Sequence, residues 1–157
     1  MRKSLTGWSL LAAVGLWSAG SVATAGENWI GTWKLNTAKS KLGANAIQAQ
    51  TLKFEKTAEG IKLSSEGTDA QGKPMQAGYT AKFDGTPASW PGNPMADTAA
   101  PKKLDDNTYE NVWKKDGKVT VSAKVAVSAD GKTLTVTQTG TDPTGAKVSA
   151  VAVYDKQ

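Results

Sequence analysis

The sequence predicts an all-β chain folded as an antiparallel up-and-down β-barrel of about eight to nine strands, with an open antiparallel β-sandwich as the alternative. Three observations carry this. Turn signals recur at short intervals: Glu59-Gly60, Asp69 to Gly72, Asp84-Gly85, Asp105 to Asn107, Asp116-Gly117, Asp130-Gly131 and Asp142 to Gly145. Between them apolar and polar residues alternate, the period of a strand with one buried face. And Gly31-Thr32-Trp33 opens the first strand, where Gly permits a tight turn and Trp plugs a barrel end.

The N-terminus reads as a secretory signal peptide over residues 1–25. Arg2 and Lys3 form its positive region, Leu5 to Trp17 its apolar stretch, and Ala23-Thr24-Ala25 a small-x-small cleavage site before Gly26. The apolar stretch is shorter than the roughly 20 residues a bilayer span requires. No Cys stands at the cleavage point, so lipoprotein processing is not expected. The expected product is an exported protein, periplasmic or extracellular, with no membrane insertion after cleavage. Residues 26–157 form one domain.

About nine strands are expected, over 29–35, 49–57, 60–67, 75–83, 98–104, 108–115, 118–128, 132–140 and 146–155. Trp29, Trp33 and Leu35 share a face of the first strand. Residues 37–48 are expected to hold a short helical turn. Leu52 and Phe54 oppose Lys53 and Glu55, and Ile61 and Leu63 oppose Lys62 and Ser64. Met75, Ala77, Tyr79, Ala81 and Phe83 share one face of the fourth strand. Residues 86–97 contain three Pro and one Gly and are expected to form a stiff loop without regular structure. Pro101 makes the following strand an edge or bulged one. On 108–115, either Tyr109 and Trp113 or Val112 faces inward. Val119, Val121, Ala123, Val125 and Val127 form the longest apolar face. Leu134 and Val136 oppose a solvated Thr row at 133, 135, 137 and 139.

Absences narrow the chemistry. The chain has no His and no Cys, which removes Ser-His-Asp triads, Cys nucleophiles, and zinc or iron held by His or Cys. It also removes disulfides, so stability must come from packing and a closed sheet. No Gly-rich phosphate loop precedes a helix. The 19 basic residues, less Arg2 and Lys3, leave 17 Lys against 14 acids. Arg forks for phosphate or base recognition are therefore missing, and the Lys are dispersed among acids, so no nucleic-acid partner is expected. Most carboxylates sit in turns, where Asp ordinarily bonds its own backbone. Asp69 to Gly72 and Asp142 to Gly145 echo one another, which shared turn chemistry explains. Each offers too few oxygens for a calcium loop. Glu66 and Glu110 could pair as acid and base only inside the barrel, and Glu66 has outward parity. No enzyme activity, metal or cofactor is expected.

The aromatic set is more informative. Trp33 reads as a core plug together with Gly31. Trp90 lies in the Pro-rich loop, where strand periodicity does not force burial. Two readings stand: it caps the barrel mouth or stacks on a ligand, or it pins the loop to its own barrel. Small residues at Ala77, Ala81, Ala123, Ala150 and Ala152 fit either a filled core or a cavity.

Trp29-Ile30-Gly31-Thr32-Trp33-Lys34-Leu35-Asn36, followed by Ala38 to Leu42, resembles the opening of small exported bacterial lipocalin-like proteins of the calycin type. The likeness continues through Asp69 to Pro74, Gly78 to Gly85, Gly92 to Asp97, Ser128 to Thr135 and Val151 to Tyr154. The resemblance implies a lipocalin-like barrel and binding of a small apolar ligand. The chain departs from true lipocalins in having no Arg over Trp33, a place a C-terminal Lys could take. It also lacks a Thr-Asp-Tyr motif, and no C-terminal helix is expected after Tyr154. The expected function is binding of a small, mostly apolar molecule in or at the mouth of a monomeric barrel, with Tyr79, Trp90, Met95 and Trp113 as contacts. The alternative is an interaction or inhibitor module of the cell envelope, with Trp90 as its anchor on an exported protein partner.

Overall fold

The computed structural model describes residues 27–43 and 46–157. The expected signal peptide, residues 1–25, lies outside the described residues. Ten strands form one sheet: β1 (Gly31–Leu35), β2 (Ala49–Thr57), β3 (Gly60–Thr68), β4 (Pro74–Ala81), β5 (Ala88–Ser89), β6 (Thr98–Lys103), β7 (Thr108–Lys115), β8 (Lys118–Val127), β9 (Thr133–Thr141) and β10 (Lys147–Lys156). Their order is β4-β3-β2-β1-β10-β9-β8-β7-β6-β5. Every ladder is antiparallel. The result is a nearly closed, lipocalin-like barrel rather than a sandwich, and a single 3₁₀ turn, Thr37–Lys39, follows β1.

β1 pairs with both β2 and β10, which joins the first four strands to the last six in one sheet. Trp33 sits opposite Leu52 on one side and Lys156 on the other. The opening left in the ladder lies between β4 and β5. These two strands end the sheet order yet are consecutive along the chain.

At the base, rings fill the interior. Trp29 and Trp33 are fully buried. Trp29 stacks on Phe83 with centroids 5.8 Å apart, and meets Tyr109 edge-on at 5.0 Å. The Trp33 indole Nε1 donates to the Trp29 carbonyl, 2.7 Å away. Lys156 Nζ stands 5.1 Å from the Trp33 ring centroid, the place an Arg takes in true lipocalins. Gly31 makes room for that lysine: its φ is +131°, and a Cβ there would lie 3.2 Å from Lys156 Cε.

Ten strands form where about nine were expected. The tenth, β5, lies in residues 86–97, which therefore contain regular structure after all. Ala88 and Ser89 pair with Ala99 and Thr98, and the Trp90 N–H donates to the Asp97 carbonyl at 2.7 Å. The stiff segment thus turns back along β6 and satisfies part of its backbone there. β6 has a full ladder to β7 on one side and this short one on the other. That border position accommodates Pro101, which has no N–H to donate. β4 stops at Ala81, and the chain turns through Phe83 at a φ of 59° while keeping that ring buried.

A second difference lies on β8. Alternation places Val119 inward with Val121, but Val119 is 54% exposed and Thr120 is buried. The cause is a bulge in the partner. Trp113 faces Val121 and Lys114 faces Val119, so the register slips between Trp113 and Lys114. The next hairpin turn is Asp116-Gly117, with φ of 49° and 77°, the left-handed pair a two-residue turn needs.

This bulge sorts two valines. Val121→Ala should cost about 2 kcal/mol in urea denaturation. Val119→Ala should stay within about 0.5 kcal/mol. Equal losses would place Val119 in the core.

Candidate functional site

The mouth opposite the base is built by the β3–β4, β7–β8 and β9–β10 hairpins and by residues 86–97. That last segment is tied down along its C-terminal half. The Asp97 N–H donates to the Lys114 carbonyl at 2.8 Å, and its carboxylate accepts from the Asp116 N–H at 2.8 Å and from Lys115 Nζ at 2.6 Å. The Asp116 N–H and then the lysine hold the Asp97 carboxyl below its usual range. Thr120, turned inward by the bulge, donates its hydroxyl to the Met95 carbonyl at 2.9 Å. Across the opening, the chain passes against β4: a Cβ on Gly92 would lie 2.4 Å from the Gln76 carbonyl oxygen.

These ties aim Trp90 into the barrel. It is 7% exposed. Its ring meets Tyr79 at 5.0 Å and Trp113 at 5.0 Å, both edge-on. Three of the four expected contact residues therefore form one aromatic cluster. Met95, half-buried, packs on the adjoining core. The facing of β7 is settled as well: Tyr109 and Asn111 are buried inside, Trp113 follows on the same face, and Val112 takes the opposite parity.

Polar groups run through this aromatic wall. Asn111 Nδ2 donates to the Tyr79 hydroxyl at 3.1 Å. Elsewhere in the interior, the Tyr154 hydroxyl donates to Gln50 Oε1, and Gln50 Nε2 donates to Ser65 Oγ at 2.7 Å. Three buried atoms around Trp90 have no hydrogen-bond partner in the protein: Trp90 Nε1, Trp113 Nε1 and Asn111 Oδ1. Each such atom costs about 1–3 kcal/mol if left dry. Asn111 was not among the residues singled out in the sequence. Its parity with Tyr109 and Trp113 is the signal that finds it, once those rings are known to face inward.

Among the described residues, the buried polar positions are Ser65, Asn111 and Thr120. The cluster therefore carries no carboxylate or ammonium. Its titratable groups are phenols, and burial pushes those of Tyr79, Tyr109 and Tyr154 well above their ordinary value. What the arrangement offers is aromatic contact and hydrogen bonding. Glu66 and Glu110 are both exposed and stand on strands that are not neighbours. Asp69 accepts from the N–H groups of Gln71 and Lys73, each at 2.9 Å. Asp142 accepts from those of Thr144 at 2.8 Å and Ala146 at 2.9 Å. The two echoing loops thus spend their carboxylates on identical turns. No group of acidic side chains positioned for a metal occurs among the described residues.

No protein-family model matches the chain. No curated protein matches it either. Among solved structures, the chain is similar to a redesigned β-barrel bound to DFHBI, at 14% identity and a TM-score of 0.43, over 84% of this chain and 98% of that one.

The chain has three tyrosines, and all are buried. Their raised pKa values mean that the unfolded chain releases phenolic protons first. The stabilisation they represent is complete below the unfolded value near pH 10 and is lost as pH rises above it. The slope contributed by three phenols approaches about 4 kcal/mol per pH unit. In an alkaline titration, tyrosinate absorbance should appear with loss of near-ultraviolet circular dichroism. Tyrosinate formed at pH 10 in the folded protein would contradict the burial.

Proposed function

We propose that the protein is an exported bacterial lipocalin-like barrel of the calycin type. It acts as a monomer and binds a small, mostly apolar molecule at its mouth, without catalysis or cofactor. The observation that carries this reading is the cluster of Tyr79, Trp90 and Trp113 around unmatched buried polar atoms. A wall made only to fill space gains nothing from indole N–H groups and an amide oxygen left without partners. A wall that receives a molecule uses aromatic surface for affinity and a few polar atoms for orientation. The interaction-module reading draws no support here, because its anchor, Trp90, faces inward.

The test is native mass spectrometry after gentle purification, with a thermal-shift panel of fatty acids, lipids and small aromatic molecules. A true ligand at a hundredfold excess over its Kd should raise Tm by about 5–10 °C. Trp113→Ala should weaken that ligand about tenfold. Absence of both a bound species and a shift with every compound would remove the proposal.

A further inference from the structure

We infer that Trp90 is an exchangeable plug, and that the molecule which displaces it is an uncharged, flat, bicyclic compound with a hydrogen-bond acceptor and an N–H or O–H donor side by side, a lactam or aromatic amide. The inference rests on the ligand-binding reading above and adds the chemical class of the ligand.

The argument begins with what Trp90 leaves unsatisfied. Its ring fills the space between Tyr79 and Trp113, with centroids 5.0 Å from each. Its Nε1 has no partner there. Swung out of the barrel, the same N–H is hydrated, so expulsion restores a hydrogen bond while it loses ring contact. Trp33 has its N–H met by the Trp29 carbonyl. Trp29, whose Nε1 is also unpartnered, is held at the base against the rings of Phe83 and Tyr109. Trp90 instead lies directly after β5, the last strand of the sheet, which borders the break in the ladder. Its backbone N–H is tied to the Asp97 carbonyl, so the exit is a rotation of the side chain about that anchored backbone and leaves the rungs at Ala88 and Ser89 in place.

With Trp90 out, the wall keeps two unmatched atoms of opposite character. Trp113 Nε1–H needs an acceptor and Asn111 Oδ1 needs a donor. The two residues are two apart on the inner face of β7, so their side chains are neighbours on one face. Asn111 is held from its other end by the Tyr79 hydroxyl, which fixes its amide for recognition. An adjacent carbonyl and N–H answers both atoms at once. The wall sets the rest of the shape, since the vacated slot is that of an indole between two edge-on rings. Charge is selected against: no ionised side chain is among the buried residues, and Asp97 and Lys115 at the mouth neutralise one another at 2.6 Å. An anion would lose its hydration with nothing to replace it.

The test is calorimetric titration at pH 8 with three flat bicyclic probes of equal size: 2-quinolone, naphthalene and 2-naphthoate. The expected order is 2-quinolone at least tenfold tighter than naphthalene, with 2-naphthoate weakest. Asn111→Leu should erase the advantage of 2-quinolone over naphthalene. Trp113→Phe, which keeps a ring and removes the N–H, should reduce it should the first variant fail to fold. In protein labelled with 5-fluorotryptophan, the Trp90 fluorine signal, assigned by its loss in Trp90→Phe, should move to a solvent-exposed position on addition of 2-quinolone. Equal binding of 2-quinolone and naphthalene, or tightest binding of 2-naphthoate, would overturn the inference and leave apolar ligand binding standing. An unmoved Trp90 signal in a bound complex would overturn the exchange. Failure of all three probes together with a blank ligand panel would overturn both.

Discussion

The pairing of β1 with β10 is the contact on which the barrel depends. All other ladders join strands that follow one another in the chain. This one brings residues 33–35 to residues 154–156, and without it the sheet falls into two meanders, β1–β4 and β5–β10, each with a wet inner face. A chain with no cysteine has no covalent means of holding such a curl. Here the join is reinforced from within: Trp33 lies under Lys156, and Gly31 yields the space the lysine stem occupies. Asn36 Nδ2 and Lys39 Nζ reach Asp155 at 2.7 and 2.9 Å, so the turn after β1 grips β10 a second time. The single long-range step also shapes folding, because hairpins form early and the closing ladder must wait for two distant segments to meet.

Closure at one side leaves the discontinuity at the other, and the two ends of the barrel are stabilised differently. The base is a dry stack of Trp29, Phe83, Tyr109 and Phe54 around Trp33. The mouth mixes rings with amide and hydroxyl groups, and some of those are unmatched. Interior small residues such as Ala81, Ala123 and Ala152 are buried in the same core as these rings, which leaves volume for indoles in a narrow barrel. Unmatched buried atoms occur at both ends, Trp29 Nε1 alone at the base, and Trp90 Nε1, Trp113 Nε1 and Asn111 Oδ1 grouped at the mouth.

Most of the framework was legible in the sequence because it is written in local chemistry. Asp-Gly pairs mark turns through their tolerance of positive φ, and alternation marks the buried face. β2 and β7 fall on the expected residues for that reason. The placement of Lys156 over Trp33 followed from a missing arginine and a nearby cation. What was not legible depends on partners. Val119 alternates correctly on its own strand and is turned out by a slip between Trp113 and Lys114 on the neighbouring one. The strand at Ala88–Ser89 is too short to show a period and exists because β6 presents a free edge. Asn111 carries no motif, and its importance appears only when its face is known. The side of β7 that points inward was undecidable from alternation alone, since both faces of that strand carry apolar residues.

The break between β4 and β5 has a consequence for how such a barrel can change over generations. It falls between strands that are adjacent in sequence, inside a connection whose backbone bonds at Phe83 and Gly85 run to β6. Lengthening that connection costs only the slow growth of loop-closure entropy, about 0.6 kcal/mol per doubling, and shifts no side chain from one face to the other. Residues 86–97, β5 included, can therefore be rewritten while the ladders of the other nine strands are inherited unchanged. One scaffold can change the lining of its mouth by editing a dozen contiguous residues, with the remainder of the chain under selection for closure alone.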